Sequence, residues 1–597
     1  LEVQFGPYFV TAGRCAGCHG FDSLGMAMVD LDGVSVNVTD DWRSTMMANS
    51  ARDPFFLAKI EHESLVNPAH AEALQNKCLG CHAPLGMHQE EMLGNPAFTL
   101  AMLDTSVMGH DGVSCLACHM QNPDSAGHHF SGELTFDSAQ VYGPYPDSTI
   151  TAAIMEFFVR FRPSFGEHII DGRVCAGCHT LITETVDLEG NYTGGHFVEQ
   201  ATWQEWKNSA YPAADINCRG CHMPRIDDPV ILASEYAFLN GHSPFGKHEL
   251  VGANTFMLRL MRDRIEELGI PATTTQFDST IARTERMLRG SVDLDLTFVD
   301  RTDDTLFVDV SLTNLAGHKF PSGYPSRRAF VQLIALDGSG DTLFHNGTWD
   351  ETWEVLGHDL PYEPHHDVIT AGDQVQIYEM VMGDVLGGTT TVLERAAAPL
   401  KDNRLVPAGF STAHASYDTT LIAGVPPGDL DFNHYLGEEG NGGDVVHYHV
   451  PLQGHGGSIN VHARIYYQPL PPQWNQEMFA FQGEAIDRFR DMYAAQEGTP
   501  ELVAADSLVD VPSRIGPLSG NTASAYPNPT SDGLVRITGA HLRSVRVYDP
   551  SGRIIAAPTE RRPGLWTLRL PDTAGTYLIA VEDRNGERLL RVVRLSR

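Results

Sequence analysis

The ten cysteines constrain this chain more than any other feature in it. Each belongs to one of five pairs with two residues between them, and a histidine follows every pair: Cys15-Ala-Gly-Cys18-His19, Cys78-Leu-Gly-Cys81-His82, Cys115-Leu-Ala-Cys118-His119, Cys175-Ala-Gly-Cys178-His179 and Cys218-Arg-Gly-Cys221-His222. Two thiols one helical turn apart add across the two vinyl groups of a haem, and the adjoining imidazole reaches the iron. This is the spacing of c-type haem attachment. Structural zinc sites combine such units in pairs, so five would leave one unmatched, and zinc requires no histidine after the second cysteine. Disulfides between cysteines this close would be strained. The pattern predicts five covalent haems c, held by all ten cysteines, with His19, His82, His119, His179 and His222 as proximal iron ligands.

All five motifs lie within the first 250 of 597 residues, or about 50 residues per haem. That is too little chain for five separate cores, so the macrocycles must provide much of the core and lie close together, in a chain. What sits opposite each proximal histidine decides the chemistry. A second histidine makes an electron-transfer haem, whereas an open face admits substrate. Ten further histidines occur in residues 1–250. The expected distal ligands are His62 and His70 on a helix, His88 just after the second motif, His168 before the fourth and His248 after the fifth. His110, His128, His129, His196 and His242 rank below them, as does His318 in a Gly/Pro-rich loop, where a histidine that merely stabilises the loop is the plainer reading. Met46, Met47, Met87 and Met120 are weaker ligand candidates still.

Beyond the motifs the hydrophobic period changes. Phe256, Met257, Leu260, Met261 and Ile265 recur at helical spacing, making 251–289 a helical connector. Val292, Leu294, Leu296 and Phe298 alternate, as do Leu306, Val308, Val310 and Leu312, and then Val461, Ala463 and Ile465. Such alternation predicts half-buried antiparallel strands. The expected architecture is a mostly α and irregular multihaem domain over 1–250, a β-sandwich with a terminal helix (474–496) over 290–510, a polar linker over 511–525 and a small C-terminal β-sandwich over 526–597. The last segment contains 12 Arg, no Lys and 7 Asp plus Glu, a balance of +5 in a chain whose total is −35. That asymmetry marks a separate module.

Several phrases resemble known families. Residues 1–250 are similar to multihaem cytochromes c. Asp41-Trp42-Arg43-Ser44, Asp111-Gly112-Val113-Ser114, Glu205-Trp206-Lys207-Asn208-Ser209, Lys247-His248-Glu249-Leu250 and Gly317-His318-Lys319-Phe320-Pro321-Ser322-Gly323 resemble an exported cytochrome family of Bacteroidota-type bacteria. The last 72 residues resemble the sorting domain of the type IX (Por) secretion system, through Tyr526-Pro527-Asn528-Pro529, Val547-Tyr548-Asp549 with Gly552, Ala574-Gly575-Thr576-Tyr577-Leu578 and Val592-Val593. That resemblance implies a small β-sandwich that engages the type IX machinery and leads to release or anchoring at the cell surface. A generic β-sandwich binding module is the plainer alternative. Haem c is attached outside the cytoplasm, and the opening Leu1-Glu2-Val3-Gln4 reads as a mature form.

Charge narrows the partners. A net −35 argues against nucleic acid, whose phosphates need clustered Lys and Arg. It favours redox partners that present a basic patch. No apolar run is long enough for a transmembrane span. The carboxylate-rich stretches 429–431 and 438–444 offer oxygen ligands for calcium, though without EF-hand spacing, and the pairs His365-His366 and His447/His449 lack an identified third ligand.

The leading expectation is an electron carrier between the cell envelope and an external acceptor or donor, with two histidines on each of five low-spin haems. An oxidoreductase acting on a small nitrogen or sulfur compound at an open haem is the first alternative, although the nitrite-reductase-like replacement of a motif histidine by lysine is absent. A subunit of a homo-oligomeric haem filament, or an adhesion component, is the second.

Overall fold

The computed structural model describes residues 1–95 and 97–511, and, nearer the C-terminus, residues 524–526, 530, 533–538, 544–549, 554–555, 559–562, 565–573, 575–583 and 586–594. The chain divides into two compact units, Leu1–Val511 and Pro512–Arg597. No compact unit ends at residue 250 or 289, where the sequence suggested boundaries.

In the first half of the larger unit, short helices alternate with irregular chain and two-stranded sheets. The longest helix there, Pro54–Val66, begins where the Asp53 carboxylate accepts the amides of Phe55 and Phe56 and Pro54 occupies the first turn. Four motifs close a helix: Ala12–His19, Ala71–His82, Cys115–His119 and Cys218–His222. The fourth begins inside the one-turn helix Arg173–Ala176. The connector holds two helices. Thr255–Arg262 carries Phe256, Met257, Leu260 and Met261 but ends before Ile265, and Thr274–Arg289 starts with a reciprocal cap between Thr273 and Gln276.

The sandwich has a four-stranded sheet and a six-stranded sheet. In the first, Val292–Arg301 pairs with Thr305–Asn314, which pairs with Gly443–Pro451, and the buried face carries Leu294, Leu296, Leu306, Val308, Val310 and Leu312. In the second, Arg328–Asp337 and Ile459–Gln468 run antiparallel at the centre and present Val331, Leu333, Val461, Ala463 and Ile465. These faces form one core.

The helix expected over 474–496 is two helices, Pro472–Phe479 and Glu484–Ala494. The break has a cause. Glu61, from Pro54–Val66, accepts the amides of Glu484, Ala485 and Ile486 at 3.2, 2.9 and 3.0 Å, and a Cβ on Gly483 would collide with that carboxylate. Nor does the sandwich end in helix: Glu501–Val511 returns to pair with Ile459–Gln468. Ala58, Met257, Phe277, Met478, Ile486 and Phe489 share one core, so the motif region, connector and sandwich are packed as one body.

In the smaller unit, two four-stranded antiparallel sheets enclose Val535, Ile537, Val547, Trp566, Leu568, Tyr577, Ile579 and Val592. Val547 and Tyr548 lie in Ser544–Tyr548, Tyr577 and Leu578 in Gly575–Asp583, and Val592 and Val593 in Gly586–Arg594. Pro527, Asn528, Pro529, Gly552, Ala574 and most of the linker, 512–523, lie outside the described residues. Among the described residues, no helix is long and apolar enough to cross a membrane.

Candidate haem sites

A cavity of about 1020 Å³ in the larger unit reaches all ten cysteines and all five motif histidines. No cysteine forms a disulfide. Thiols of different motifs meet there: Cys15 with Cys115, Cys81 with Cys178, and Cys175 with Cys218. Cys118 also lies near Cys178. The fourth motif thus neighbours the second, third and fifth, and the first joins through the third.

Four of the five motif histidines are set for metal binding by backbone carbonyls. The Nδ1–H groups of His19, His82, His119 and His222 donate to the carbonyls of Leu232, Ser50, Tyr142 and Val251 at 2.7, 3.3, 2.6 and 2.6 Å. A carbonyl only accepts, so Nδ1 carries the proton and Nε2 keeps its lone pair. Burial holds these rings neutral, with His82 and His179 pushed down to about 4.

Two further histidines share this arrangement. His248 donates from Nδ1 to the Gly246 carbonyl at 3.1 Å, and His318 to that of Lys319 at 2.8 Å. His248 faces His119 with ring centres 6.3 Å apart and planes 19° from parallel. His318 faces His222 at 6.4 Å and 18°. An iron bound by two imidazoles needs two metal–nitrogen bonds of about 2.0 Å, plus about 1.1 Å from each nitrogen to its ring centre, or roughly 6.2 Å in all. Both pairs match that span.

The apolar lining fits a macrocycle too. The helix Ala152–Val159 (AAIMEFFV) is almost wholly apolar yet contains no buried residue, and its Ile154, Met155, Phe158 and Val159 face the cavity. Bound haem would give that face the cover it lacks. The residues present therefore fit haem c: thiols for attachment, neutral imidazoles with free Nε2 atoms, and apolar walls.

The other expected distal ligands sit elsewhere. His62, His70, His88 and His168 do not line the cavity. Lys59 Nζ lies 3.2 Å from His62 Nδ1, and the ring packs edge-on against Phe481. His70 bonds Glu394 at 2.9 Å and stacks on Tyr192. Both nitrogens of His88 are taken, by Glu91 at 2.9 Å and the Gly132 carbonyl at 3.2 Å. His168 is fully buried, its ring edge-on to that of Tyr142. Beyond the motif histidines, only His242, His248 and His318 line the cavity among the described residues. His242 belongs to the segment whose Leu232 carbonyl holds His19, and it packs on Tyr145 at 4.5 Å.

The cavity wall changes character beside Cys78. Lys59 and Glu63, one helical turn apart, face it together with Thr183, Glu199 and Tyr324. Burial pushes the Glu199 carboxyl up to about 7, at which it can hold or release a proton near neutral pH. No short motif joins these residues, which come from four segments; only Lys59 and Glu63, at i and i+4, carried a local signal.

Two groups outside the cavity gather the carboxylates considered for calcium. His365, Asp429 and Asp444 approach one another in the sandwich, as do Asp367, Asp431 and His447. The amides of Gln376 and Asn403 both donate to His365 Nδ1 at 2.9 Å, and their oxygens are fixed by the His366 and Glu379 amides. His365 therefore carries its proton on Nε2, which donates to Asp429 at 2.8 Å, so neither nitrogen offers a metal a lone pair. His447 donates to Asp309 and Asp431 at 2.7 and 3.1 Å, and Asp309 above all lifts it to about 9, an imidazolium at pH 7. His366 bonds Glu363 and His449 packs on Phe307, so neither histidine pair acts as a unit.

No protein-family model matches this chain, and no curated protein matches it. Among solved structures it is similar to a penta-heme cytochrome c552 from Thermochromatium tepidum, at 17% identity and a TM-score of 0.46, over 84% of this chain and 98% of that one. Weaker similarity links it to HBP35 of Porphyromonas gingivalis (12% identity, TM-score 0.14, 55% of this chain and 70% of that one). A biofilm-associated protein BSP domain follows at 10% identity and TM-score 0.14, over 54% of this chain and 56% of that one. Similarity at this level fixes neither fold nor activity.

Proposed function

We propose that this chain is an exported multihaem cytochrome c that passes electrons through five closely spaced haems. The observation that carries the reading is the pairing of His119 with His248 and of His222 with His318, at iron-spanning separations, within a cavity that all ten cysteines line. Haem iron bound there would take up and release single electrons. The chain's own part is to fix each imidazole. Backbone carbonyls hold the Nδ1 protons, burial keeps the rings neutral, and the apolar walls limit water. Meetings between motifs around the fourth one support rapid exchange among its neighbours.

The net −35 favours a partner with a basic patch, or an acceptor reached through one. The type IX-like phrases of residues 526–597 support delivery to the cell surface, where such a protein would exchange electrons with an external acceptor or donor.

Low-temperature EPR of the oxidised protein tests the reading. Rhombic low-spin signals from two irons, each between nearly parallel imidazoles, are expected. A spectrum without any six-coordinate low-spin iron would refute it.

A further inference from the structure

We propose that the exposed aromatic face beside the first motif is the docking surface for a small basic redox protein, one that presents its cofactor edge in an apolar face ringed by lysine or arginine. The inference rests on the haem reading above and names the surface through which such a partner reaches the haems.

The face is built from ring contacts. Phe157 meets Phe158 at 5.1 Å between ring centres, Phe158 meets Tyr236 at 6.3 Å, and Tyr236 meets Phe238 at 6.0 Å. Phe157 is 79% and Phe238 77% exposed. Phe21 and Leu24 are exposed on the segment that leaves the first motif. That segment is bound to residues 231–234, the Met28 amide donating to the Ile231 carbonyl and the Ser234 amide to the Cys18 carbonyl, both at 2.9 Å. Single exposed apolar residues are ordinary, but a row of touching aromatic rings marks a binding surface. Haem does not account for it. Phe158 lines the cavity, whereas Phe157, Phe238, Phe21 and Leu24 do not.

Three contacts tie the face to the first motif. Arg14, one turn before Cys18 in the helix Ala12–His19, donates to the Phe158 carbonyl at 2.5 Å. The Leu232 carbonyl holds His19 Nδ1 at 2.7 Å, and the Ser234 hydroxyl donates to the Cys18 carbonyl at 3.1 Å. An electron crossing here therefore meets the first haem. One electron passes between that iron and the partner's cofactor, one being oxidised as the other is reduced, and no bond is made or broken.

Charge selects the occupant. Residues 20–36 and 226–241 hold six carboxylates (Asp22, Asp30, Asp32, Asp227, Asp228 and Glu235) and no Lys or Arg. Arg14 is spent on the Phe158 carbonyl and lies over the Phe5 ring at 5.3 Å. Past the aromatic helix, Arg160 and Arg162 bring positive charge back, and Arg162 turns its own toward Glu156 at 3.9 Å. An apolar centre with an acidic rim is complementary to an apolar centre with a basic one. A second copy of this chain would bring the same carboxylates, and an anionic lipid surface would also be repelled.

The test mixes dithionite-reduced holoprotein with oxidised mitochondrial cytochrome c, a small basic haem protein, in a stopped-flow spectrometer. Fast electron transfer that slows as salt is added is expected. Phe157→Ser with Phe238→Ser should lower the second-order rate constant about tenfold at both low and high salt, as removal of a central aromatic anchor does. Asp32→Asn, Asp227→Asn and Glu235→Gln together should flatten the salt dependence instead. Unchanged haem spectra show that the variants fold, and Phe238→Ser alone is read if the double variant does not. Wild-type rates in the folded aromatic variant, equal rates with a lysine-acetylated probe, or no transfer from a holoprotein whose haems dithionite reduces overturns the proposal. So does a dimer in sedimentation, or binding to phosphatidylglycerol vesicles, that the double variant abolishes. A protein without covalent haem would fail the underlying reading instead, so the two failures are distinct.

Discussion

Replacing His318 with alanine is expected to turn the iron of the fifth motif from low spin to high spin while the third motif's signal stays as it was. The ring of His318 stands 6.4 Å from that of His222, close to the span of a two-imidazole site, and its Nδ1 proton is already given to the Lys319 carbonyl. Nothing else among the described cavity-lining histidines is placed to replace it. Its loss removes a strong-field ligand, and the reduction potential should rise by on the order of 0.1 V, a fraction of the roughly 0.8 V that axial ligands span. His248→Ala should do the same to the third motif alone. His88→Ala should change no haem spectrum, because both nitrogens of that ring already have protein partners. An unaltered spectrum in His318→Ala would show that the ring only stabilises its loop.

Glu205→Ala is expected to destabilise the larger unit by about 3–5 kcal/mol, the usual cost of removing one partner from a buried ion network. Glu205 is fully buried, accepting the Lys319 amide at 3.2 Å and the Ser322 hydroxyl at 2.7 Å, with Arg404 at 3.2 Å. Arg404 in turn grips Asp402 at 2.7 and 2.8 Å, and Lys319 Nζ donates to Asp402 and to the Leu421 carbonyl at 2.8 and 2.7 Å. Two cations and two anions balance. Removing one anion leaves a buried guanidinium short of its partner and frees the loop that carries His318. Denaturant titration should show the loss, and the EPR signal of the fifth motif should broaden while that of the third does not. A change below about 1 kcal/mol would mean that water readily takes the place of Glu205.

The cysteines and motif histidines were legible because covalent attachment fixes their spacing within five residues. Strand alternation was legible for the same local reason: Leu306, Val308, Val310 and Leu312 are the buried face of Thr305–Asn314. Distal ligation was not. His62 and His88 lie on helices close to motifs, but helix position says nothing of which cavity a ring enters: both nitrogens of His88 have protein partners, and Nδ1 of His62 meets Lys59. His318 arrives from a sandwich loop, and only the Glu205, Lys319, Asp402 and Arg404 contacts explain how it gets there. The break at Gly483 likewise depends on Glu61, far away in sequence. Glu63, Thr183, Glu199 and Tyr324 come together on the cavity wall from four segments, a grouping that only the fold creates.

The most direct measurement is the number of haems that stay with the polypeptide after acid-acetone extraction, quantified as the pyridine haemochrome per chain. Five covalent haems are predicted, falling to four when Cys78 and Cys81 are both replaced by alanine. A protein that releases its haem, or that holds fewer than five while fully folded, would contradict the account.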